Sequence, residues 1–176
     1  GWASTSGPGR AATIRGMQTA TVPPVPDSPT PSPTPSPEPP HWARRLGAAG
    51  LIPFIGGALL VWLVWPAAHP YVALGLSTYA GLIVSFLGGI HWGVAMRAPA
   101  APHALLLWGV LPSLVAWVAV MMPPSAGLVV HGVMLLVCYA VDRQLYPRHG
   151  LAGWLTLRFR LSAVAALSCF LGAAGT

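Results

Sequence analysis

Long apolar runs, separated by short breaks of proline, arginine and histidine, set the pattern of this chain. The clearest run is Tyr71–Met96, YVALGLSTYAGLIVSFLGGIHWGVAM, which carries no formal charge. At ~1.5 Å rise per residue its roughly 26 positions cross a bilayer core of ~30 Å with some tilt. Four further runs predict spans over about 46–65, 104–122, 126–141 and 155–174. The last needs Leu155 to Phe159 in one helix with the short apolar segment Leu161–Ala174, its arginines snorkelling toward the headgroups. Pro53 near one end of the first span is expected to kink it, and Pro112 interrupts the third. The predicted fold class is therefore all-α, a polytopic membrane bundle of about five transmembrane helices.

Composition strengthens that reading. The 176 residues are 55% hydrophobic and only 7% charged, against about 25% charged in ordinary soluble domains. A net charge of +6 would point to nucleic acid in a soluble protein. Here the basic residues are all arginine and cluster in short connections, as the positive-inside rule expects, so the lipid bilayer is the expected partner and no nucleic acid is. With five spans and a cytoplasmic N-terminus, the Arg97 loop, the Arg143–Arg160 connection and the N-terminal tail fall on one side. Pro66–Pro70 and Pro123–Ser125 fall on the other, without arginine.

Residues 1–40 are expected to form a disordered tail ahead of a helical membrane domain over 41–176. Thr19–Pro40 is rich in Pro, Ser and Thr, and proline at this density blocks helices and sheet ladders. Its PxxP spacing could present a polyproline II surface to an SH3-like partner, but nothing charged or aromatic flanks it, so a solvated spacer is the favoured reading. The chain begins with Gly1, and Met17 is read as the natural start, with a targeting segment over residues 1–16 as the weaker alternative. His41-Trp42-Ala43-Arg44-Arg45 then pairs an amphipathic ring with two arginines, the make-up of an interfacial anchor.

Inside the membrane domain, small residues recur at Ser77, Gly81, Ser85, Gly89 and Gly93, predicting a flat strip for helix packing. His91 lies about five residues from the end of its span, roughly 7 Å deep. Asp142, the only acid of residues 41–176, closes the fourth span on the same side. An ionisable group at such depth is a functional hypothesis that needs a partner, so Asp142 is expected to approach His91, or failing that an inner-loop arginine. A structural interhelical contact is the favoured role, with proton movement as the alternative. Haem bound by His91 and His131 is disfavoured, because their depths differ by roughly 7 Å where one haem needs its ligands level. Cys138 and Cys169 lack metal or redox spacing and are expected as buried thiols; no cofactor and no metal site is expected. No HExxH, GxSxG or P-loop occurs, and a single acid leaves acid/base chemistry without material, so no enzyme is expected.

Four stretches stand in order: Leu51-Ile52-Pro53-Phe54, the run from Tyr79 to Gly93 ending SFLGGIHWG, Leu111-Pro112-Ser113-Leu114-Val115-Ala116-Trp117, and Tyr139-Ala140-Val141-Asp142-Arg143. Over about Ala43 to Gly172 the chain resembles a family of small bacterial inner-membrane proteins of unknown function, related to the mitochondrial transmembrane protein 69. That resemblance implies about five spans in a bacterial inner membrane, or alternatively a mitochondrial one, and supplies no activity. The expected function is a non-catalytic accessory, assembly or scaffolding component that binds other membrane subunits, possibly those of a respiratory complex, with a small transporter or channel using His91 and Asp142 as the alternative.

Overall fold

The computed structural model describes residues 37–97 and 102–176. The proline-rich tail through residue 36, the Met17 start and residues 98–101 of the Arg97 loop lie outside the described residues. Among the described residues there are six α-helices and no strand: α1 His41–Ala49, α2 Ile52–Leu63, α3 His69–Ala95, α4 His103–Met121, α5 Pro124–Leu145 and α6 Leu155–Ala174. Taken with their helical flanks these make five stretches long and apolar enough to cross a membrane.

Local chemistry explains where each helix stops. The first predicted span is interrupted ahead of Pro53, which has no N–H to donate to the Ala49 carbonyl: α1 ends at Gly50, whose N–H donates to Leu46 O at 2.9 Å, and Gly50 and Leu51 keep right-handed helical dihedrals into α2. The expected anchor His41–Arg45 thus becomes helical, as the first half of a helix that buries no residue. The connection predicted over Pro66–Pro70 is shorter, because Pro70 sits in the first turn of α3, where a missing N–H costs nothing. α5 runs past Val141 to Leu145, carrying Asp142 inside its last turn. It gives way to the turn at Gly150, whose φ of 71° is the only positive value among the described residues. Glycine adopts that conformation without a Cβ clash. The Leu151 N–H then donates to Tyr146 O at 2.8 Å and turns the chain into α6.

α3 is the central helix, in contact with α2, α4, α5 and α6. Its inner face joins Phe54, Val61, Leu128, Leu135 and Cys169 in one apolar core. Phe54 meets the Tyr79 ring edge-on at 5.1 Å, and the Tyr79 hydroxyl donates to Gly50 O at 2.9 Å, pinning the α1–α2 break to α3. At the other end, Trp62 Nε1 donates to Leu171 O at 3.1 Å, joining α2 to α6. Outward, Leu82, Phe86, Leu107, Leu114, Trp117 and Leu167 are all exposed. Water would not tolerate so much contiguous apolar surface, whereas hydrocarbon solvates it. The protein is a membrane protein with several spanning helices.

The predicted small-residue strip divides. Ser77 and Gly81 are buried, Ser85 is half-buried, and Gly89 and Gly93 are exposed with nothing within 4 Å of an added Cβ. Steps of four residues rotate about 40° each on a helix of 3.6 residues per turn, so four steps carry the strip to the far side. The position that takes over in packing is Gly88. A methyl built there would sit 2.5 Å from the Gly109 carbonyl oxygen of α4 and 3.4 Å from the Pro112 ring. Pro112, buried and facing this crossing, frees the Trp108 carbonyl from its i+4 partner without ending α4.

A buried acid, histidine and arginine on three helices

Asp142 of α5 is 1% exposed, His91 of α3 is 2% and Arg158 of α6 is 8%. Each side chain comes from a different helix, so their meeting ties α3, α5 and α6 together near the arginine-bearing end of the bundle. Arg158 donates Nε–H to Asp142 Oδ2 at 2.9 Å, and its Nη2 also reaches Oδ2. On the other carboxylate oxygen, His91 Nε2 approaches Oδ1 at 3.2 Å. That second approach is within ion-pair range but outside hydrogen-bond geometry, and both atoms lack a hydrogen-bond partner.

The opposite ring nitrogen constrains the proton count. His91 Nδ1 lies 3.1 Å from Leu87 O, and since a carbonyl only accepts, Nδ1 must carry a proton. A neutral ring would then aim its Nε2 lone pair at a carboxylate. The 3.2 Å approach is attractive only with a further proton on Nε2 or on Oδ1. On the other side of the carboxylate, the Arg158 guanidinium balances the acid. Tyr146, just beyond α5, is also buried beside it. Burial pushes its hydroxyl up to about 12, partly offset by the Arg158 charge, so it remains a neutral donor at physiological pH.

Arg158 is the residue that reading by stretches misses. Snorkelling predicts that it points outward with Arg160, yet Arg158, Ser162, Ala165 and Cys169 form the buried stripe of α6 while Arg160 is exposed. That stripe, spaced four, three and four, was present in the sequence, as was the need of a lone intramembrane acid for a cation. His131 stands apart from this group. Its Nδ1 lies 3.3 Å from Ser77 Oγ, and its Nε2 is buried without a hydrogen-bond partner. Cys138 and Cys169 are buried and free.

The family of proteins of unknown function DUF3429 matches residues 39–174 of this chain. The chain belongs to that family. The match includes every helix described above and begins just ahead of α1. A second similarity is to Transmembrane protein 69 of Xenopus tropicalis, 45% identical over 65 residues. That aligned stretch is 36% of this chain and spans 25% of the relative's length. No solved structure matches.

Proposed function

We propose that this DUF3429 chain is a non-catalytic accessory, assembly or scaffolding component of an inner-membrane complex, acting by binding other membrane subunits. The observation that carries this reading is the outward position of Gly89 and Gly93 on the longest helix, with open space beside both. In lipid, where apolar surface alone gives helices little reason to associate, exposed small residues let a second backbone approach closely. The absence of an enzymatic role belongs to the same proposal: the one acid of the membrane domain is engaged by Arg158, leaving no pair of free carboxylates.

Purification in mild detergent followed by mass spectrometry tests it. Stoichiometric co-purifying membrane subunits are expected, and their loss in the Gly89→Leu/Gly93→Leu variant without loss of the folded bundle. A chain that purifies alone, and whose reconstitution yields proton-dependent flux abolished by Asp142→Asn, would instead establish the second reading, a small transporter or channel. The close His91–Asp142 approach is what favours that alternative.

The proposed orientation places the arginine-bearing connections in the cytoplasm of a bacterium, or in the corresponding compartment of a mitochondrion. Single cysteines at Arg97 and Arg148 should label from one side of the membrane, and one at Ala67 from the other. Opposite labelling of Arg97 and Arg148 would overturn this topology.

A further inference from the structure

The break between α1 and α2 leaves a space. α1 leans on α6, where Gly47 faces Leu161, and buries no residue of its own. Behind it lies a cavity of about 540 Å³, open on one side and bounded by α1, α3, α5 and α6. Along α6 its wall runs from Leu157 to Ala165, roughly 12 Å at 1.5 Å per residue, most of the depth of one bilayer leaflet. Leu46, Ile83 and Leu87 are typical of its apolar wall.

The polar exceptions are Arg158, Tyr146 and Ser162. Ser162 is 2% exposed, and its hydroxyl has no hydrogen-bond partner. Two other hydroxyls in the spans bond back to their own helix: Ser168 donates to Val164 O at 2.9 Å and Thr78 to Leu74 O at 2.8 Å. The hydroxyl oxygen has almost no accessible surface in this rotamer, so an acceptor that enters the cavity meets it after rotation about χ1, and a hydroxyl that makes no helical back-bond gives up no hydrogen bond in that turn. The charge of Arg158 is already balanced by Asp142, so an anion brought to this depth would be left without a cation of its own. That favours an uncharged acceptor.

We propose that this cavity is a binding site for one membrane lipid, whose hydrocarbon tail fills the apolar space while a carbonyl oxygen accepts a hydrogen bond from Ser162. A quinone ring and the ester carbonyl of a glycerolipid both supply that chemistry. The site is independent of the partner-binding reading above.

Purified protein in mild detergent is titrated with a decyl-tailed benzoquinone, with dioleoylphosphatidylcholine and with laurate, and occupancy is read by native mass spectrometry. One molecule of quinone or of phosphatidylcholine per chain is expected, and the bound probe identifies the source. Ser162→Ala should weaken that binding about tenfold, the scale of one lost hydrogen bond. Ile83→Trp, which fills the cavity from α3, should abolish it. Ser162→Ala removes only one oxygen, so it reports even if Ile83→Trp does not fold. Binding of neither neutral probe, preference for laurate over both, or affinity unchanged in Ser162→Ala overturns the proposal.

Discussion

Replacing Arg158 with alanine is expected to destabilise the bundle by about 3–5 kcal/mol, the cost of leaving a buried charge without its partner. Asp142 is 1% exposed, so neither water nor headgroups can stand in for the lost guanidinium. The paired variant Asp142→Leu/Arg158→Met should recover most of that loss, because an apolar pair of similar volume leaves no charge behind. His91→Ala provides the scale. It removes an interhelical polar contact without a hydrogen bond and should cost only about 1 kcal/mol. Reversible unfolding in detergent micelles measures all three. A loss in Arg158→Ala no greater than that in His91→Ala would mean that the ion pair does not hold the helices.

The second large effect is expected at the crossing of α3 and α4. Gly88→Ala puts a methyl 2.5 Å from the Gly109 carbonyl oxygen, and the obstacle is backbone, which cannot rotate away as a side chain can. Separating the helices enough to relieve this overpacking should cost about 1–3 kcal/mol. Gly88→Leu should prevent assembly of the bundle. The neighbouring Gly89→Ala meets nothing within 4 Å and should change stability by less than about 0.5 kcal/mol. Two adjacent glycines, identical by composition, are therefore expected to differ several-fold in the same unfolding measurement.

Those two glycines also mark what the sequence could and could not reveal. Helix existence was legible, because a run such as Tyr71–Met96 satisfies its own backbone and needs no partner to define it. Facing was less so: a repeat of four looks straight on paper but winds around the helix, which separated Gly93 from Ser77. Breaks were half legible. Pro53 signalled an irregularity, but nothing local showed that Tyr79, 29 residues away, would hold the Gly50 carbonyl beside it. At the buried acid, His91 and Asp142 stood out as ionisable groups in apolar runs. Arg158 did not, because arginine near a helix end has a common alternative in snorkelling, and only the stripe continuing through Ser162 to Cys169 shows which way it turns.

The pairing of Asp142 with Arg158 also makes the last helix a condition for the fold. Arg158 on α6 neutralises the carboxylate that α5 buries, so a chain cut ahead of Leu155 would have to hold that charge uncompensated or keep α5 out of its place.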